Sequence, residues 1–129
     1  MDYFWLSICV AVNALLLWLL TANVSRLRLK LGISLGDAGN PQLFTAIRAH
    51  ANGLEQAPIF ILGLLVLTLL NSANFVLALL VISFSFARFC HAYGMVGRVF
   101  IARRVGAGLT YVLQLALIVC IFYQLVMSL

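Results

Sequence analysis

Charged side chains are scarce in this chain. They make up only 9% of its 129 residues, with three acids in all, where soluble domains carry roughly 25%. Apolar residues reach 65% and the mean hydropathy is +1.16, so a water-soluble fold of this size could not bury them. Cysteine is sparse too. Cys9, Cys90 and Cys120 are dispersed among apolar neighbours, with neither CxxC spacing nor a histidine pair of metal-ligand type. They read as small buried hydrophobes, and no metal site is expected. The amino terminus, Met1-Asp2-Tyr3-Phe4-Trp5, lacks a basic n-region, and the apolar stretch after it is too long for a signal-peptide core. It reads as a retained helix. Basic residues outnumber acids enough to give a net charge of +5. An exposed basic surface is missing, which excludes a nucleic-acid partner, and the charge is a topology signal instead.

Each bilayer crossing takes about 20 mostly apolar residues, so the chain has room for four spans and short connections, and none for a separate soluble domain. No charge falls between Tyr3 and Asn23, and Arg26, Arg28 and Lys30 then end the first span. Three glycines, Asp37, Asn40 and Pro41 form a loop. A second helix starts polar near Gln42 and turns wholly apolar after Ala57. Asn71, Ser72 and Asn74 mark a tight turn before a third span, which Arg88, His91 and Tyr93 close. Helices are expected at about 3–24, 43–70, 74–93 and 105–127, in one all-α integral-membrane four-helix bundle covering 1–129. Threading these spans places all eight basic residues, Arg26, Arg28, Lys30, Arg48, Arg88, Arg98, Arg103 and Arg104, at one membrane face. The positive-inside rule then puts both termini on the non-cytoplasmic side.

The polar residues gather at that basic face. Arg48, Asn52 and Glu55 are spaced i, i+4 and i+7 and share one side of the second helix, with His50 nearby. Glu55 lies about 10 Å further along the axis than Arg48, at a depth where an acid normally faces a cavity or a partner. Pro58 removes a backbone donor three residues on, where the helix could kink. Arg88 and His91, at i and i+3 on the third helix, can point into the same gap. Plainer accounts exist for each residue: headgroup contact for the stripe, snorkelling for Arg88, an ordinary interfacial hydrogen bond for His91. Together, several cations with one carboxylate and one amide suit a small anion bearing carboxylates and amides, and offer too few ligands for a metal.

The run Arg48-Ala-His-x-Asn-x-x-Glu55-x-x-Pro58, followed by an apolar span and Ala87-Arg88-x-x-His91, resembles the MAPEG superfamily, the membrane-associated proteins in eicosanoid and glutathione metabolism. The resemblance covers nearly the whole chain. It implies a homotrimer with glutathione, as co-substrate, held between neighbouring subunits near the basic face. On that pattern Arg48, His50, Asn52, Glu55, Arg88 and His91 would bind glutathione, and Arg103 or Arg104 would stabilise its thiolate. The implied reaction is that of a glutathione transferase or peroxidase acting on a lipophilic electrophile or hydroperoxide from the membrane lipid. Gln56, Thr45 and Met95 depart from the better-known branches, which turns the expectation from an eicosanoid synthase to a broad-specificity enzyme. Short loops and tails fit a bacterial inner-membrane member. The competing expectations are a non-catalytic protein that binds glutathione or lipid, and a small cation-coupled exporter built around Glu55.

Overall fold

The computed structural model describes residues 3–127 and contains four helices: α1 (Phe4–Leu31), α2 (Pro41–Leu69), α3 (Asn74–Val96) and α4 (Phe100–Met127). All four are long and apolar enough to cross a bilayer, and no strand occurs among the described residues. The chain runs up and down, so the end of α1, the start of α2, the end of α3 and the start of α4 meet at one pole. Every basic residue is at that pole. α2 and α3 pack on each other, and each also contacts both outer helices, whereas α1 and α4 do not touch.

Local chemistry fixes the helix boundaries. At the start of α2 the Asn40 side chain accepts hydrogen bonds from the backbone N–H groups of Gln42 and Leu43, each at 3.0 Å, and Pro41 takes the first helical position, where no donor is needed. α1 ends at Gly32, whose φ of 68° is the left-handed turn that favours glycine. Beyond it, the Arg28 guanidinium donates to the carbonyl oxygens of Ile33, Ser34 and Gly36, the last at 2.8 Å, and so folds the connecting loop back on the helix end. The helix of α2 is unbroken through Pro58.

Two helices begin or end differently from expectation. α1 continues past residue 24 through Arg26, Arg28 and Lys30 to Leu31, because a run of charge ends a membrane span without ending a helix, and Arg and Lys are good helix formers. α4 begins at Phe100 rather than 105, which places Arg103 and Arg104 on its first turns instead of in a loop. The core is apolar along the bundle axis. Phe60 of α2 stacks on Phe84 of α3 with ring centroids 3.6 Å apart, within a cluster that includes Leu64, Leu67, Leu77 and Val81.

Candidate functional site

Two glycines bring α3 and α4 together at the basic pole. A Cβ on Gly94 would lie 2.2 Å from the backbone nitrogen of Arg103, and one on Gly106 would lie 2.4 Å from that of His91. Only glycine lets the backbones come this close. The contact sets the register in which α4 presents its first turns to α2 and α3.

That register directs Arg103 inward. A cavity of about 310 Å³ opens between the helices, lined by Phe44, Arg48, Asn52, His91, Met95 and Arg103. A smaller space of about 220 Å³, lined by Thr45, Gly94, Arg98 and Phe100, adjoins it through the shared Met95 and Arg103. Arg103 therefore stands between two lobes. Arg104 points elsewhere, with its guanidinium 5.3 Å from the centroid of the Phe100 ring, a cation–π distance.

Arg88 lies behind the cavity and not on its wall. Its side chain is buried, donating through Nη2 to Asn52 Oδ1 at 2.9 Å and through Nη1 to Thr110 Oγ1 at 3.3 Å. The Thr110 hydroxyl in turn donates to the Gly106 carbonyl at 2.8 Å. One planar guanidinium thus ties α3 to both α2 and α4, a geometry suited to its fixed fork of donors, and it orients the Asn52 amide that faces the cavity. His91 is also buried, and its Nδ1 has no hydrogen-bond partner among the described residues. Buried polar atoms are rarely left so, and this one belongs to a residue on the cavity wall.

Glu55 and His50 occupy other places. Arg48 Nη2 is 3.7 Å from Glu55 Oε1, and both side chains remain about half exposed, so the stripe on α2 is held by an open ion pair at its edge. His50 Nε2 lies 2.9 Å from Thr21 Oγ1 of α1. The single hydroxyl hydrogen of Thr21 goes to the Leu17 carbonyl at 2.9 Å, which makes His50 Nε2 the donor and its role a tie between α1 and α2. Among the described residues no carboxylate lines the cavity, while Arg48 and Arg103 do. Its electrostatics favour an anion, and no group of His, Cys, Asp or Glu among these residues could hold a metal.

Sequence reasoning missed Thr110, Phe44 and the paired contacts of Gly94 and Gly106. The small residues Gly106 and Thr110, one turn apart on α4, were the available signal for a close helix contact beside a polar group.

The comparisons with known proteins agree with this architecture. The family described as MAPEG matches residues 6–123. Among curated proteins the chain is 31% identical over 105 residues to "Inner membrane protein YecN" of Escherichia coli strain K12, covering 81% of this chain and 80% of that protein. The protein of the same name from Escherichia coli O6:H1 matches to the same extent.

Proposed function

The chain belongs to the MAPEG family, and on that premise we propose that it is a glutathione-dependent transferase or peroxidase acting on lipophilic electrophiles or hydroperoxides. The observation that carries the proposal is the cavity itself: two arginines, an anchored amide and a buried, unpartnered histidine nitrogen, with no carboxylate on the wall. Glutathione carries carboxylates for Arg48, amides for Asn52 and His91 Nδ1, and an amino group for Glu55, the ion-pair partner of Arg48. A thiol is a poor nucleophile until ionised, and an adjacent cation lowers its pKa. Arg103, at the junction of the two lobes, is the cation we assign to the sulfur. The thiolate then attacks an electrophilic carbon that arrives from the bilayer, forming a thioether as a leaving group departs or a double bond or strained ring opens. Alternatively it attacks a peroxide oxygen, breaking the O–O bond to give an alcohol and a sulfenic acid that a second glutathione converts to the disulfide and water.

The same reading places the chain in a bacterial inner membrane with both termini on the non-cytoplasmic side, assembled as a homotrimer. An exporter built on Glu55 is disfavoured. That carboxylate is paired with Arg48 and half exposed, where proton-coupled export of cations calls for an acid enclosed in an apolar helix face.

The test is titration of the detergent-purified protein with glutathione while ultraviolet thiolate absorbance is followed, in wild type and in Arg48→Ala/Glu55→Ala. A saturable thiolate signal that the double variant loses supports the proposal. Binding without ionisation leaves a glutathione-binding protein without the chemistry, and no binding at all refutes the proposal.

A further inference from the structure

The smaller lobe beside the cavity contains none of the residues assigned to glutathione except Arg103, which stands between the two. Thr45, Gly94, Met95, Arg98, Phe100 and Arg103 enclose its space of about 220 Å³. Arg98 and Arg103 bring two guanidinium groups to it, and neither group has a hydrogen bond or ion pair among the described residues. The acids among those residues are engaged elsewhere. Asp37 Oδ1 accepts from the Gly39 N–H at 3.2 Å in the α1–α2 loop, and Glu55 lies 3.7 Å from Arg48. Thr45 brings no competing donor, because its hydroxyl hydrogen goes to the Gln42 carbonyl at 3.0 Å. Two planar donor forks without a counter-ion are suited to a phosphate or carboxylate.

The turn between α3 and α4 holds Arg98 in this place against its backbone preference. Arg98 takes the left-handed conformation, with φ of 56°, while Gly97 just before it keeps φ of −81°. A bulky side chain at positive φ is uncommon because its Cβ crowds the carbonyl oxygen, and glycine would adopt the same turn without strain. The surroundings of the lobe say which anion. In the segment 93–101 that frames it, Tyr93, Val96, Val99, Phe100 and Ile101 are all exposed. Apolar and aromatic side chains laid bare beside arginines belong at the headgroup level of a bilayer. A free phosphate would match the arginines and leave those side chains uncovered, whereas an anionic head on an apolar body matches both.

We propose that the smaller lobe binds the headgroup of an acidic phospholipid, with the phosphate held between Arg98 and Arg103 and the acyl chains outside, along the exposed apolar side chains of the segment 93–101. Arg98 serves the lipid alone, and Arg103 is shared with the larger cavity. The binding needs no glutathione, so the inference stands apart from the proposed function.

Native mass spectrometry of the delipidated, detergent-purified protein tests it, by titration with phosphatidylglycerol and with phosphatidylcholine of the same acyl chains. The expected result is saturable binding of phosphatidylglycerol about tenfold tighter than that of phosphatidylcholine, the change one charge-assisted hydrogen bond brings. Arg98→Gly, which relieves the left-handed turn, and Arg98→Gln, which keeps the side chain long, should each bring the two lipids to within about twofold. Arg26→Gln removes another arginine of the same pole, one that donates to Asn23 at 2.9 Å, and should keep the preference. Equal binding of the two lipids by wild type would overturn the proposal, as would an equal loss in Arg26→Gln, because the attraction would then belong to the basic pole as a whole. Displacement of phosphatidylglycerol by millimolar inorganic phosphate would overturn it too, by showing a free anion to be the occupant. The glutathione thiolate signal is read separately. Its presence without a lipid preference removes this inference alone, and its absence with one removes only the glutathione reading.

Discussion

Replacement of Gly106 by alanine is the sharpest test of how the site is built. The added Cβ would lie 2.4 Å from the backbone nitrogen of His91 and 2.7 Å from both the Ala87 carbonyl oxygen and His91 Cα, where ordinary contacts are about 3.5 Å. All three atoms are backbone, so no rotamer change relieves the clash, and α3 and α4 must part by about 1 Å at this level. Overpacking of this kind costs about 1–3 kcal/mol. Gly108, half a turn further on, is the internal control: nothing lies within 4 Å of its Cβ position, and alanine there gains helix propensity of up to about 1 kcal/mol. The assay is thermal unfolding in detergent followed with a fluorogenic maleimide, which reports exposure of the fully buried Cys9. Gly106→Ala should lower the Tm by about 5 °C or more, and Gly108→Ala should hold or raise it. The displacement also moves Arg103, on the preceding turn of α4, and a shift of about 1 Å at a reacting group can cost on the order of a hundredfold in rate; glutathione ionisation should therefore fall in Gly106→Ala. A Gly106→Ala protein that melts with wild type, or a Gly108→Ala protein that loses as much, would refute the reasoning.

Three further outcomes follow from the same geometry. Arg103→Ala should abolish the glutathione thiolate absorbance while Arg104→Ala leaves it intact, since only the former lines the cavity and the latter sits over Phe100; equal loss in both would argue against the assignment. Arg88→Lys keeps the charge but cannot bridge Asn52 and Thr110 at once, so it should lose about 1–3 kcal/mol of stability and weaken glutathione binding about tenfold through the freed Asn52 amide, both readable by thermal unfolding and calorimetric titration. Arg48→Ala should change unfolding by less than about 1 kcal/mol, as an exposed ion pair contributes little, yet weaken glutathione binding in the same titration; a large stability loss would show that Arg48 serves the fold and not the ligand.

How much of this was legible in the sequence depends on how local each cause is. Four spans and a single basic pole follow from where charges interrupt apolar runs, a property of contiguous residues, and the stripe Arg48–Asn52–Glu55 follows from spacing within one helix. The boundaries of α1 and α4 were misplaced because charge marks the edge of the membrane whereas helix ends answer to caps: Gly32 stops α1 after the basic run, and nothing at Arg103 prevents α4 from starting before it. The choice between Arg103 and Arg104 was out of reach for a related reason. Adjacent residues on a helix diverge by about 100°, so the inward one is decided by the rotation of α4, and that rotation is set by the backbone contacts of Gly94 and Gly106 across to α3. Arg88 shows the limit from the other side. Its i, i+3 relation to His91 puts both on one side of α3, but only His91 lines the cavity, because the longer Arg88 side chain is taken up by Asn52 and Thr110, where it orients another residue's amide. A polar residue in a membrane helix thus announces a site from its sequence position, while its task within the site is fixed by which neighbouring helices can come close enough to use it.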